Sequence, residues 1–178
     1  LTVGRDKSQD ANDITVAARL DFRKFRVDRK VVEDACSSIC SFFLVPEDGK
    51  PLPPFLPGQF LTFRLDLPAA TGGTEQVVRC YSLSDAPRPD CYRVSIKRVS
   101  APAGSDFPPG RSSHYFHDHV SVGSLLQVRA PSGHFHIDRS DEPLVLIGGG
   151  IGITPMLSML NWCLANQPGR EVLLYYGV

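Results

Sequence analysis

Residues 144–155 read Leu-Val-Leu-Ile-Gly-Gly-Gly-Ile-Gly-Ile-Thr-Pro, an apolar run that passes directly into a cluster of glycines. The run Leu144–Ile147 is typical of a parallel strand buried on both faces. Met156–Leu164 has apolar residues spaced three and four apart, which predicts a helix. After the helix-breaking residues Gln167–Gly169, a second apolar strand is predicted over Val172–Tyr176. The pattern therefore predicts one β-α-β unit of a doubly wound sheet.

The glycine loop inside this unit has the features of a pyrophosphate site. Gly150 and Gly152 allow a sharp turn and a close approach of a ligand to the backbone. Thr154 is expected to be the helix N-cap and Pro155 its first helical residue. The helix start then offers free amides and a positive dipole end to a phosphate. A tight turn without a ligand is the alternative, and the position between a predicted strand and helix favours the ligand site.

The sequence before this unit consists of short β-type runs separated by turns rich in proline and glycine. Six strands are predicted, at Arg23–Val32, Ile39–Val45, Gln59–Leu65, Val77–Leu83, Tyr92–Val99 and Leu125–Arg129. One short helix is predicted at Ser113–His119. The predicted fold class is an antiparallel Greek-key β-barrel followed by a partial α/β doubly wound domain. We expect a polar tail or linker over 1–17, the barrel over 18–140 and the β-α-β unit over 141–178.

Two further motifs within the barrel suggest a ligand. Arg79 and Tyr81 are two apart on a predicted strand and therefore share a face. A cation beside an aromatic ring suits a ligand with a phosphate and a flat ring system. Downstream, Gly110, Ser112 and Ser113 precede the short helix, with Ser113 as its expected N-cap, and could bind a second phosphate. The alternatives are an ordinary decorated strand and an ordinary capped helix.

Taken together and in this order, the motifs resemble those of the ferredoxin–NADP reductase family. They are Arg-x-Tyr-Ser at Arg79–Ser82, Gly-x-x-Ser at Gly110–Ser113 and Gly-x-Gly-x-x-Pro at Gly150–Pro155. The resemblance is strongest to the reductase part of flavohaemoglobins and runs from about Phe22 to the C-terminus. Further matching segments are Pro57–Phe60, Tyr81–Pro87, His117–Val120 and Ala130–Phe135. The sequence departs from that group in lacking a globin and the second half of the nucleotide domain, so we expect it to be a fragment, or an ordered part, of a longer protein.

The resemblance implies an NAD(P)H-dependent FAD oxidoreductase. Such a protein takes hydride from NAD(P)H onto FAD and passes electrons singly to a haem or iron–sulfur acceptor, in the same chain or another protein. Tyr81, Ser82 and Thr154 are the implied catalytic residues: Tyr81 stacks on the isoalloxazine, Ser82 lies near the flavin N5, and Thr154 faces the nicotinamide. Alternation puts Ser82 on the opposite face from Tyr81, so its role requires the strand to end or bulge there.

The implied cofactor-binding residues fall into three groups. FAD would be held by Arg79, Tyr81, Ser82 and Lys97 on the strands and by Gly110, Ser112 and Ser113 at the pyrophosphate; NAD(P)H would be held by Gly150, Gly152, Thr154 and Pro155. The second anion site favours FAD over FMN. Two alternatives remain open, a flavin-binding module without reductase activity and a barrel used for protein docking.

Composition limits the other function classes. Lysine plus arginine and aspartate plus glutamate both number 19, so zero net charge gives no electrostatic case for nucleic acid or a membrane surface. No apolar run approaches the roughly 20 residues of a membrane span. The five scattered cysteines do not suggest a disulfide framework and favour a cytoplasmic location. The paired histidines lack accompanying carboxylates, so no metal site is predicted.

Overall fold

The computed structural model describes residues 21–69 and 72–177, so the predicted tail over 1–17 lies outside the described residues. The larger part contains six strands: β1 Arg23–Val32, β2 Ile39–Pro46, β3 Phe60–Pro68, β4 Thr74–Ser82, β5 Tyr92–Lys97 and β6 Leu125–Ser132. Helix α1, Arg111–His119, lies between β5 and β6. The smaller part consists of β7 Leu144–Gly149, a 3-10 turn Gly150–Ile153, α2 Thr154–Asn166 and β8 Val172–Gly177.

The six strands form one curled antiparallel sheet in the order β4-β3-β6-β1-β2-β5. Strands β3 and β6 are neighbours although they are distant in sequence, as in a Greek key. The edge strands β4 and β5 approach each other, and within the described chain one antiparallel bridge, Leu83–Val94, joins these two edges. The Greek-key barrel prediction is confirmed, with incomplete closure between β4 and β5.

The barrel core follows from alternation along the strands. Leu61, Phe63 and Leu65 are fully or almost fully buried on the inner face of β3, and burial of each such side chain contributes about 1.5–3 kcal/mol. Helix α1 closes this core through Phe116, whose ring lies edge-on to Phe42 and Phe63 at centroid distances of 5.3 and 5.4 Å. The core thereby fixes the position of α1 relative to the strands.

The smaller part is the predicted strand–turn–helix–strand unit, with β7 and β8 parallel and Leu144 opposite Val172. Its apolar cluster contains Leu146 of β7 together with Ile137, Met159 and Cys163. The prediction that β7 is buried on both faces is wrong for its other face. Among the described residues nothing covers that face, and Val145 and Ile147 are 53% and 69% exposed.

Candidate functional site

A cleft of about 500 Å³ lies between the edge strands β4 and β5. The first turn of α1 and the start of α2 also line it. Every predicted site residue except Gly150 contributes to its wall: Arg79, Tyr81, Ser82, Lys97, Gly110, Ser112, Ser113, Gly152, Thr154 and Pro155. Three motifs far apart in sequence therefore meet at the place where the sheet fails to close.

Arg79 and Tyr81 lie on the inner face of β4. In the register with β3 they stand opposite the buried residues Phe63 and Leu61, so the prediction that they share a face is confirmed. The ring of Tyr81 packs edge-on against Phe63 and Phe116, with centroids 5.7 and 5.2 Å apart. Burial raises the pKa of Tyr81 to about 12, so its phenol keeps its proton at neutral pH.

The Arg79 side chain is exposed to solvent at the edge of β4 that borders the cleft. One of its guanidinium nitrogens, Nη1, donates to the main-chain oxygen of Val78 at 2.8 Å. A guanidinium has five N–H donors in a planar fork, so donors remain for an anion. Lys97, the last residue of β5, is a second exposed cation on the cleft wall.

Helix α1 begins differently from the sequence prediction. Its N-cap is Gly110, and Ser113 is the third helical residue. Ser113 Oγ donates to the main-chain oxygen of Gly110 at 2.8 Å and accepts from the main-chain nitrogen of Val99 at 3.1 Å. The N-cap prediction for Ser113 is therefore wrong, because its hydroxyl joins the helix start to the segment after β5.

Gly110 is needed at this position for space. A Cβ atom there would lie 2.8 Å from Ser113 Oγ and 2.9 Å from Val99 Cβ, closer than non-bonded atoms pack. Gly110 therefore permits the contact between α1 and the end of β5.

Ser112 supplies an unused hydroxyl at the same helix start. The residue is 7% exposed, and within the described residues its Oγ is buried without a hydrogen-bond partner. The first turn of a helix also has amides that lack intrahelical acceptors, and here the first helical bond runs from His114 N to Gly110 O. A buried hydroxyl and free amides at a helix N-terminus fit a phosphate group.

Thr154 has a different position in α2 from the one predicted. The N-cap is Ile153, so Thr154 is the first helical residue and Pro155 the second. Thr154 Oγ1 donates to the main-chain oxygen of Ile151 at 3.1 Å and lies 2.6 Å from Ser82 Oγ. A hydroxyl has one proton, so in this arrangement the Ser82 hydroxyl donates to Thr154. The capping predictions for Thr154 and Pro155 are wrong because the 3-10 turn precedes the helix.

Strand β4 ends at Ser82. Strand alternation alone would put Ser82 on the opposite face from Tyr81, so its predicted role required the strand to end or bulge there. At this end Ser82 contacts Thr154 on a helix 72 residues further along the chain. Gly150, the first residue of the 3-10 turn, has a positive φ of 49°, a conformation that glycine adopts without strain. Glycine at this position thus lets the chain turn from β7 toward Ser82.

A second set of contacts between the two parts was not predicted from the sequence. Ser158 Oγ donates to the main-chain oxygen of Asp85 at 2.7 Å, and Asn161 Nδ2 donates to Asp85 Oδ1 at 2.9 Å. The available signal was the polar face of an otherwise apolar helix, on which Ser158 and Asn161 follow Thr154 by four and seven residues. We call Ser82, Asp85, Thr154, Ser158 and Asn161 the seam.

Three buried serine hydroxyls beside the cleft were also missed. Ser95 Oγ lies 2.6 Å from Ser41 Oγ and 2.8 Å from Ser84 Oγ, and all three residues are buried. Since Ser95 lines the cleft, these bonds fix the wall formed by β5. Their partners lie far apart in sequence, so no local pattern marks them.

Within residues 21–69 and 72–177, the side chains and helices show neither a metal centre nor a membrane span. No group of three or more ligand-type side chains is placed to hold a metal ion there. The ring nitrogen Nε2 of His117 lies 2.9 Å from the main-chain oxygen of Ile96, a structural contact. None of the described helices has the length and apolar composition required to cross a bilayer.

Two protein families match the two parts of this chain that form the cleft. The oxidoreductase FAD-binding domain matches residues 33–137, and the oxidoreductase NAD-binding domain matches residues 146–178. The chain belongs to the FAD-binding oxidoreductase domain family, joined to an NAD-binding segment. The two matches are to FAD-binding and NAD-binding domains, the two cofactor types that the motifs implied.

The curated relatives and solved structures narrow the resemblance. Flavohemoprotein A of Dictyostelium discoideum is 44% identical over 153 residues, which are 85% of this chain and 38% of that protein. The FAD/NAD-binding domain of nitric oxide dioxygenase from Vibrio cholerae superposes with a TM-score of 0.76 at 38% identity, covering 88% of this chain and 62% of that one. Phthalate dioxygenase reductase gives a TM-score of 0.67 at 33% identity, covering 87% and 43%. The resemblance to the reductase part of flavohaemoglobins is confirmed.

Proposed function

We propose that the chain is the reductase part of a longer flavoprotein, which takes hydride from NAD(P)H onto FAD and passes electrons singly to a haem or iron–sulfur acceptor. The observation that carries this proposal is the 2.6 Å contact between Ser82 and Thr154. It joins the end of the strand that carries the flavin motif to the start of the nucleotide helix. A cofactor and a donor bound to these two elements would therefore meet at one point.

The acceptor is proposed from the relatives. The curated relatives are named flavohemoproteins, and the chain spans 38% of the length of the one from Dictyostelium. Phthalate dioxygenase reductase is described as transferring electrons from pyridine nucleotides to a [2Fe-2S] centre. When bound, FAD supplies the conversion of a two-electron hydride into single electrons, and the protein supplies binding and orientation.

At the flavin end, Arg79 and the first turn of α1 are proposed to hold the pyrophosphate. Arg79 has guanidinium donors remaining, and Ser112 has a buried hydroxyl for which the described chain provides no acceptor. Gly110 and Ser113 would keep the helix amides directed at the same anion. Lys97 is proposed to lie beside the ribityl and phosphate part of the cofactor.

At the reacting end, Tyr81 is proposed to lie against the isoalloxazine ring and Ser82 near its N5. Tyr81 is held by two aromatic neighbours and stays neutral, so it presents an uncharged, rigid face. Ser82 and Thr154 each have hydroxyl groups that can orient a ring substituent.

At the nucleotide end, Gly150, Gly152 and Pro155 shape the loop for NAD(P)H, and Thr154 would face its nicotinamide. A Cβ on Gly152 would meet nothing within 4 Å, so a ligand has room to approach the backbone there. The β-α-β unit over 141–178 would then be the first part of the nucleotide domain, after a barrel over 18–140 and a tail or linker over 1–17.

Two alternatives are decided by the same preparation of the full-length protein. Absence of flavin absorbance from the purified protein would favour a docking barrel. Flavin that stays oxidised after anaerobic mixing with NADH or NADPH would favour a binding module and refute the reductase. We expect bound FAD, identified by mass spectrometry of the released cofactor, and prompt bleaching; release of FMN would contradict the roles given to Ser112 and Ser113.

Location and other partners follow from charge and thiols. All five cysteines are free, Cys40 and Cys163 being buried, and reduced thiols are typical of a cytoplasmic protein. A formal net charge of zero gives no electrostatic case for binding to nucleic acid or to an anionic membrane. We therefore propose a cytoplasmic protein that binds neither. Fractionation of cells expressing the full-length protein tests this location.

A further inference from the structure

The polar face of α2 forms hydrogen bonds to one short segment of the barrel, from Ser82 to Asp85. Thr154, Ser158 and Asn161 stand at positions i, i+4 and i+7, which place them on one side of the helix. Ser158 is a polar residue in a mostly apolar helix, and it is completely buried. A buried polar side chain is costly unless it is bonded, and its partner is the main-chain oxygen of Asp85.

Asp85 is the centre of these contacts. Its main-chain oxygen accepts from Ser158, and its carboxylate Oδ1 accepts from Asn161. The same Oδ1 also accepts from the main-chain nitrogen of Ala86 at 2.9 Å. This third bond fixes the direction of the carboxylate, so that Asn161 meets an acceptor already in place.

Asp85 and Ser82 belong to one rigid segment. Between them, Leu83 bridges to Val94, and the Ser84 nitrogen donates to the Arg93 oxygen at 2.9 Å. On the other side of the seam, Thr154 and Asn161 belong to one helix. A movement at the contact between Asp85 and Asn161 therefore changes the distance between Ser82 and Thr154.

We propose that Asp85 is a positioning residue, which anchors α2 to the end of β4 and thereby sets the placement of Thr154 against Ser82. This inference rests on the proposed reductase function, because it concerns the distance between the flavin site and the nucleotide site. Asp85 itself does not line the cleft. It acts through Ser158 and Asn161, which lie about 6 and 10.5 Å along the helix axis from Thr154 at the reacting end.

The test compares variants of the full-length protein by anaerobic stopped-flow reduction with a saturating concentration of NADH or NADPH, whichever reduces the wild-type flavin faster. Asp85→Ala removes the carboxylate that Asn161 binds, and Asp85→Asn keeps an oxygen at Oδ1 for both Asn161 and Ala86. We expect Asp85→Ala to lower the limiting rate of flavin reduction by about tenfold to a hundredfold, because small misplacements have effects of that size. Asp85→Asn should stay within about threefold of wild type, and FAD content should be unchanged in both.

A second readout is independent of activity. Amide hydrogen exchange should become faster at residues 154–161 in Asp85→Ala and stay unchanged in α1, whose described residues have no hydrogen bond to Asp85, Ser158 or Asn161. The matched control is Asp90→Ala, which removes an exposed aspartate from the same loop, where it pairs with Arg88 at 2.8 Å. This control should match wild type in both measurements.

A charge exchange covers the case in which Asp85→Ala fails to fold. Asn161→Asp places two carboxylates together and should slow flavin reduction, whereas the double variant Asp85→Asn with Asn161→Asp removes this repulsion and should recover part of the rate. A double variant as slow as Asn161→Asp would overturn the proposal. So would wild-type rates and exchange in a folded Asp85→Ala. Failure of the wild-type protein itself to bleach with either NADH or NADPH would instead refute the reductase function.

Discussion

A single methyl group at Gly110 is expected to weaken FAD binding. In Gly110→Ala the new Cβ would lie 2.8 Å from Ser113 Oγ and 2.9 Å from Val99 Cβ, where carbon contacts prefer about 3.5–4.0 Å. Ser113 cannot move away without losing its bonds to Val99 N and Gly110 O. The first turn of α1 must therefore shift relative to β5.

The size of the effect follows from these two contacts. Two lost hydrogen bonds contribute about 1 kcal/mol each, and an extra methyl group in a packed site usually costs about 1–3 kcal/mol. If about 1.5–3 kcal/mol of this appears in ligand affinity, the dissociation constant rises roughly tenfold to 150-fold. The loss should be in affinity, with little change in the spectrum of the protein once it is saturated.

The assay is titration of the full-length apoprotein with FAD, followed by flavin fluorescence. Gly169→Ala is the matched control, because a Cβ there meets nothing within 4 Å and its φ lies outside the left-handed region. It should bind FAD as wild type does. Equal affinity of Gly110→Ala and Gly169→Ala would refute the placement of the pyrophosphate at the start of α1.

Three further predictions concern stability. Gly58→Ala should lower the free energy of unfolding by about 2–4 kcal/mol in urea denaturation, because φ is +106° and the new Cβ would lie 2.6 Å from the Phe135 oxygen. Arg170→Ala should cost about 2–3 kcal/mol, since this buried guanidinium bonds to loop 138–142 through several donors of about 1 kcal/mol each. Hydrogen bonds from Ser140 and then Arg170 lower the pKa of Asp138 from its ordinary 3.8; their stabilisation is present above that value and lost as the pH falls through the folded pKa, so melting between pH 6 and 3 should change less in Arg170→Ala.

Much of the fold was predictable because its signals are local. Strand β1 has the predicted bounds, and the other strands were found with ends displaced by a few residues. Strand β4 shows why the ends were missed. It begins at Thr74 with three exposed polar residues, and an edge strand with solvent on that side has no apolar alternation to reveal it.

The capping residues were predicted wrongly for a reason that is not local. Thr154 and Ser113 both have side chains that favour an N-cap. Each hydroxyl instead forms a tertiary bond, Thr154 to Ser82 and Ser113 to Val99. A rule based on neighbouring residues cannot anticipate partners that the fold supplies.

Of the cleft, the motifs were predictable and the contacts that hold the motifs together were not. The three motif segments all line the cleft. They could be predicted because each has a distinctive local spacing of glycine and polar residues. Asp85 lies in the matching segment Tyr81–Pro87, but an aspartate before alanine and proline is typical of any turn, so the sequence gives no sign of its contact with α2. Its part in the seam depends on Ser158 and Asn161, more than 70 residues away.

The open edge between β4 and β5 couples cofactor binding to folding. A ligand that binds this gap in the native chain, and not in the unfolded chain, raises the free energy of unfolding by RT ln(1 + [L]/Kd). At a ligand concentration of a hundred times Kd this is about 2.7 kcal/mol. With flavin bound as proposed in the gap beside the Leu83–Val94 bridge, the thermal stability of the protein becomes a measure of its occupancy by flavin.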